Sequence, residues 1–167
     1  AHNANVTIAL MKEFRLGSAR VWNTGGHGFE GVGLFHDAGI YTLFCLDNVL
    51  SGKEAFFLPK DYSAWKKYLT EKAGMVKGKV DAYEILNEPN LHLWPANYNT
   101  YLASAVKAIR KADPAAKIAA FCLTSDFGAD GTGWLDECIR LGGFRNIDIA
   151  GFHPYSSREL ASPLPAD

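Results

Sequence analysis

No stretch of this 167-residue chain reaches the roughly 18 consecutive apolar residues that a membrane span requires. Residues 1–15 also lack the basic start and long apolar run of a signal peptide, so a soluble protein is expected, secreted or cytoplasmic. Charge of one sign is absent too. Seventeen basic and eighteen acidic residues leave a net charge of -1, and no overall field draws the chain to nucleic acid or to an anionic membrane. The chain begins without methionine, which suits a matured, proteolysed or excerpted segment. Cysteine is sparse. Cys45, Cys122 and Cys138 are an odd number in no CxxC spacing, and each lies among apolar neighbours such as Phe44, Phe121 and Leu141. They are predicted to be buried free thiols, which favour a reducing compartment although a secreted enzyme can bury unpaired cysteines as well. No histidine stands at motif spacing from any of them, and His27, His36 and His92 show no carboxylate at ligand spacing. Gly25, Gly26, Gly28, Gly31 and Gly33 form neither GxGxxG nor GxxxxGK, so phosphate binding has little support. Neither a metal nor a cofactor is predicted.

What the chain does contain is the balance of an ordinary globular domain, with 48% hydrophobic and 21% charged residues. Five short apolar segments read as buried strands: Ser18 to Trp22, Ile40 to Leu46, Val80 to Asn87, Lys117 to Leu123 and Ile147 to His153. Helical patterns alternate with them at Val6 to Phe14, Gly31 to Ala38, Tyr62 to Met75, Tyr98 to Lys111 and Gly133 to Leu141. Asp113-Pro114 ends the fourth helix and Gly142-Gly143 the fifth. Strict alternation implies parallel strands with right-handed crossovers, hence an α/β doubly wound sheet or a barrel. The strand spacing of about 22 to 40 residues suits a barrel enzyme with long loops after its strands. Such loops are Asn23 to Phe29, Asp47 to Asp61 and Asn87 to Asn97, whereas Ser162 to Asp167 reads as loop at the end of the chain.

The segment Tyr83-Glu84-Ile85-Leu86-Asn87-Glu88-Pro89-Asn90 carries the chemistry. An apolar strand ends there in two polar residues and a proline that stops the ladder. Polar groups at the C-terminal ends of parallel strands project into the site built by the βα loops. A carboxyl at that position can protonate a leaving-group oxygen once its environment raises its pKa toward neutrality. Glu88 is suited to that role, and Asn87 can hold a hydroxyl. Glu84, at period two from Glu88, points to the same side and is expected to be structural, because a buried charge needs a partner.

In this segment the sequence resembles clan A of the glycoside hydrolases, retaining (β/α)8-barrel enzymes whose fourth strand ends in Asn-Glu-Pro. Two further matches follow the order of that clan. Ser18-Ala19-Arg20-Val21-Trp22 is similar to the second strand, and Asp148-Ile149-Ala150-Gly151-Phe152-His153-Pro154-Tyr155 to the sixth, ending in His-x-Tyr. The resemblance extends from about Val6 to Ser156 and looks closest to the β-xylosidase and iduronidase branch. It implies that Glu88 is the general acid/base, that Asn87 contacts the sugar 2-hydroxyl, that Arg20 lies near the nucleophile, and that His153 and Tyr155 line the substrate cleft. Arg20 can equally neutralise Glu84, and the alternative for His153, less favoured than the site, is a core histidine bonded to a backbone carbonyl. Trp22 and Trp94 offer flat apolar rings to a pyranose face, or anchor loops under the rim. Asn23, Asp47, Asn48 and Asp126 follow strands and can reach the cleft, though turn and cap preferences explain them as well.

The departures define the expectation further. A full barrel has eight strands, and five are counted here, which the resemblance numbers second to sixth. The expected architecture is a single, incomplete (β/α)8 TIM barrel across residues 1–167, lacking strands one, seven and eight. Retaining hydrolysis requires two carboxyl groups about 5 to 5.5 Å apart. The clan's nucleophile stands on the seventh strand, and Glu159 has no strand before it. The chain alone is therefore expected to be inactive, and its open sheet to close against a second chain or a copy of itself. The alternatives are a carbohydrate-binding or structural remnant, and a metal-dependent barrel enzyme, for which no ligand set is visible.

Overall fold

The computed structural model describes residues 2–22, 28–47, 62–124 and 131–153. The elements run α1 (His2–Glu13), β1 (Ser18–Trp22), α2 (Gly28–Asp37), β2 (Tyr41–Leu46), α3 (Tyr62–Met75) and β3 (Ala82–Ile85), then α4 (Pro95–Ala112), β4 (Lys117–Thr124), α5 (Gly131–Arg140) and β5 (Ile149–His153). Short 3-10 turns at Pro89–Leu91 and Gly143–Asn146 complete them. All five strands pair in parallel in the order β1-β2-β3-β4-β5. Each strand lies beside its predecessor, so the order never reverses. A doubly wound sheet reverses at a switch point; a sheet that never does is an arc of a singly wound barrel.

Every predicted strand and helix is present, β1 and α3 with the predicted bounds and the others with shifted ends. α4 starts at Pro95 rather than Tyr98, because a proline fits the first helical turn, where its missing N–H has no partner to lose. β3 stops at Ile85, short of Asn87, because Leu86 (φ 65°) and Glu88 (φ 46°) turn the backbone left-handed. That turn breaks the period-two alternation that would have placed Glu84 and Glu88 on one face of a continuous strand.

The main core lies between the sheet and its helices. Trp65, Leu69 and Ala73 of α3 and Tyr101, Leu102, Ala105 and Ile109 of α4 pack on Phe44, Tyr83, Ile85, Ile118 and Ala120 of the strands. Trp65 and Tyr101 meet with ring centroids 5.0 Å apart, and Phe44 and Tyr83 at 6.4 Å. Each such buried side chain stabilises the fold by roughly 1.5–3 kcal/mol. Since Tyr83 and Ile85 face the helices, Glu84 between them faces the other side of the sheet, where it is fully buried.

β4 does not keep its alternation. Ile118 and Ala120 face the helices, and so do Phe121 and Leu123, because the pairing with β5 shifts between Ala120 and Leu123. Phe121 (φ 72°) and Cys122 (φ 36°) form this β-bulge. One extra residue thus turns Cys122 away from the helices and toward Glu84. The amide of Phe121 donates to Tyr98 Oη at 2.9 Å, and Tyr98 Oη donates to Ile85 O at 3.2 Å, which compensates the lost ladder bonds. Gly151 on β5 completes the fit, since a Cβ at that position would lie 2.3 Å from Cys122 Sγ.

Candidate active site

The loop after β3 is tied to β4 by two residues. The Glu88 amide donates to Cys122 O at 3.2 Å, a carbonyl exposed by the bulge. Asn90 brackets Thr124: its Nδ2 donates to the carbonyl at 3.1 Å and its Oδ1 accepts from the amide at 3.3 Å. These bonds fix Glu88 in a left-handed conformation (φ 46°, ψ 53°) that a non-glycine residue adopts only when its surroundings impose it. Its carboxyl is thereby aimed at β5, where Glu88 Oε1 lies 3.0 Å from His153 Nδ1. Both side chains are largely buried, 13% and 21% exposed respectively. Here His153 bonds a carboxyl.

Beside this pair stands a network centred on Arg20. Its Nε donates to Glu84 Oε2 at 2.6 Å, one Nη2 proton goes to Glu84 Oε1, and Nη2 also donates to Asn87 Oδ1 at 2.7 Å. The guanidinium carbon sits 4.6 Å from the centre of the Trp22 ring, a cation–π contact. Burial pulls the Arg20 guanidinium down, but hydrogen bonding and attraction from Glu84 outweigh it and hold it above its ordinary value. Of the two readings of Arg20, partnership with Glu84 is the contact observed.

Asp47, at the tip of β2, is a member for which the sequence left two readings open, a residue reaching the cleft or an ordinary turn residue. It is buried and accepts the Asn87 amide at 3.1 Å, so it positions the residue next to Glu88. Burial raises its carboxyl above the usual range, with the Asn87 bond acting in the opposite direction. Cys45 Sγ lies 3.5 Å from Glu84 Oε1 and 3.8 Å from Asp47 Oδ1, and its single proton goes to one of them at a time. Burial raises the thiols of Cys45 and Cys122 first, and the neighbouring Glu84 charge raises them further, so both stay protonated at neutral pH. All three cysteines are free and buried as expected. Two of them, however, border a carboxylate rather than apolar side chains alone. The sequence carries no signal for that, because no glycine or proline marks the bulge that re-aims Cys122.

The fold therefore gathers Glu88 with His153, and Arg20 with Asn87 and Trp22. It does not bring Trp94 to them. Trp94 is 79% exposed and lines a separate surface cavity of about 310 Å³ with Asn90, His92, Leu93 and Trp134. Tyr155, Glu159, His27, Asn23, Asn48 and Asp126 lie outside the described residues.

No protein-family model and no curated protein sequence matches the chain. Solved structures do. A family 39 glycoside hydrolase from the gut symbiont Bacteroides cellulosilyticus WH2 superposes with a TM-score of 0.73 at 18% identity, over 93% of this chain and 36% of its own. An endo-1,4-beta-mannanase from Eisenia fetida gives 0.65 at 14% identity, over 94% and 62%. A beta-1,4-D-mannanase from Cryptopygus antarcticus gives 0.64 at 17% identity, over 90% and 60%. The fold is that of clan A glycoside hydrolases. This chain spans between about a third and under two thirds of the length of those proteins, and its five strands form an arc of the clan A barrel. Asn87, Glu88 and His153 all stand at the C-terminal ends of the strands of that arc, the end where barrel enzymes carry their sites.

Proposed function

We propose that this chain contributes the acid/base half of a retaining glycoside hydrolase that cleaves β-glycosidic bonds. The observation that carries the reading is the Glu88 carboxyl, 13% exposed at a strand tip and 3.0 Å from His153 Nδ1. In this reading Glu88 protonates the departing glycosidic oxygen and then takes a proton from the attacking water. His153 orients the carboxyl through a bond that persists with the proton on either atom. Asn87, held by Arg20 at its Oδ1 and by Asp47 at its amide, presents its Nδ2 to a sugar hydroxyl. Trp22, flattened under the Arg20 guanidinium, and Tyr155 line the bound sugar, and Trp94 provides a stacking surface farther out along a glycan.

Retention requires a second carboxylate. Glu84 is unsuited, because Arg20 engages both of its oxygens. The nucleophile therefore comes from polypeptide outside the described residues, on a seventh strand that closes the barrel, whether in the same protein or in a partner chain. Without that carboxylate the arc binds sugar but does not turn it over, and this is the competing reading.

The deciding experiment compares wild type and Glu88→Gln in the closed barrel against a panel of aryl β-glycosides. Loss of roughly 10²–10⁴-fold in kcat/KM on substrates with poor leaving groups, and much less on activated ones, is expected for a general acid. Equal turnover of both proteins on poor leaving groups would remove Glu88 from the mechanism. Absence of any turnover in the closed wild-type barrel, with sugar binding retained, would favour the competing reading.

A further inference from the structure

We propose that Glu84, Cys122 and His153 form a binding site for a thiophilic divalent cation of the zinc type, on the inner side of the sheet next to Glu88. Three neighbouring strands, β3, β4 and β5, each supply one donor: a carboxylate oxygen, a sulfur and an imidazole nitrogen. These atoms all lie within 4.8 Å of one another. Zinc bonds of about 2.0–2.3 Å in tetrahedral geometry place donors roughly 3.5 Å apart, a contraction that side-chain rotation supplies without moving the strands. The donor set selects the metal. Thiolate with imidazole and carboxylate suits zinc, cadmium or cobalt, whereas calcium and magnesium require oxygen ligands throughout. Three protein ligands leave the fourth position open to water.

The geometry is built in by the fold. Uninterrupted alternation along β4 would turn Cys122 toward the helices with Ile118 and Ala120; the bulge turns it to Glu84 instead. Gly151 leaves room for the sulfur where any Cβ would collide with it. Glu84 and Cys122 are buried, and the partly exposed His153 is the way in from solvent. Binding exchanges one bond for another: the Cys122 S–H proton leaves to solvent and the sulfur takes the cation in its place. Arg20 shares Glu84 with the incoming charge and opposes it, which keeps the affinity below that of a closed structural site.

The test is a titration of the metal-free full chain with Co²⁺, read as the thiolate-to-cobalt absorption band in the near ultraviolet. The band is expected to saturate at one equivalent, to be displaced by Zn²⁺, to persist in Cys45→Ser and Cys138→Ser, and to vanish in Cys122→Ser. Loss of a single second-shell partner already weakens metal sites by 10–100-fold, so His153→Gln is expected to weaken cobalt binding by at least about tenfold. A wild type without the band, a band that survives Cys122→Ser, or an unchanged affinity in His153→Gln would overturn the proposal. The last measurement decides alone if circular dichroism shows that Cys122→Ser is unfolded. No sugar enters the experiment, so its outcome is independent of the glycosidase reading.

Discussion

Replacing Arg20 by methionine keeps an unbranched apolar stem against Trp22 but leaves Glu84, fully buried, without its counter-ion. Removing one partner of a buried pair typically costs 3–5 kcal/mol, and the 30% exposure of the Arg20 side chain points to the lower end, about 3 kcal/mol. The double variant Arg20→Met/Glu84→Gln is expected to recover a large part of that loss in urea unfolding. No recovery would mean that Arg20 acts through packing instead of charge. Asp47 gives a prediction in pH. Burial raises its folded-state pKa above the 3.8 of the free side chain, so the folded protein holds that proton more tightly than the unfolded one. The associated stability is complete below pH 3.8 and is lost as pH rises through the folded value. Asp47→Asn removes this titration while its side-chain oxygen can still accept the Asn87 amide. Wild type should therefore lose stability relative to Asp47→Asn as pH rises above about 3.8, whereas a pH-independent difference would show that Asp47 does not titrate on folding.

The bulge in β4 is the element on which the site depends, since it turns Cys122 inward, exposes the carbonyl that holds the Glu88 amide, and draws Tyr98 Oη between β3 and β4. Tyr98→Phe removes one hydroxyl and leaves both Phe121 N–H and Ile85 C=O buried without it, at an expected cost of about 1–3 kcal/mol in denaturant unfolding. Gly151→Ala forces a Cβ to within 2.3 Å of Cys122 Sγ, and an overpacked site of this kind is expected to lose about 1–3 kcal/mol. Truncation to Cys122→Ala should relieve part of that loss, because the sulfur is the nearest atom in the collision. Element order was legible in the sequence because apolar strands and capped helices alternate with clear punctuation, such as Asp113-Pro114 and Gly142-Gly143. The strand end that carries Glu88 was legible because Pro89 marks it. The bulge was not: Phe121 and Cys122 are ordinary strand residues, and their positive φ values follow from Tyr98, Gly151 and Glu88, which are distant in the chain. For the same reason the partnership of Glu84 with Cys122, and of Asp47 with the Asn87 amide, required the fold.

At the scale of the molecule the sheet has two edge strands, β1 and β5, each paired on one side only within the described residues. Burial follows that position. β3 is buried throughout and β4 at all but its first residue, while β5 alternates between half-buried and exposed, with Phe152 60% exposed toward the side where helices cover the other strands. Ile139, Leu141 and Phe144 add apolar surface on the same flank, and Val6, Leu10, Phe14 and Leu16 on the opposite one. Unpaired parallel edges with apolar flanks are a template for further strands. They are covered in a closed barrel, and they invite association when they are not. The 167-residue chain by itself is accordingly expected to self-associate with rising concentration in sedimentation velocity, and Phe152→Lys, which places a charge on the β5 edge without touching the Glu88 or Arg20 networks, should shift that equilibrium toward monomer. Supplying polypeptide that completes the barrel should abolish self-association in wild type. Concentration-independent monomers of wild type would show that these edges need no further strand.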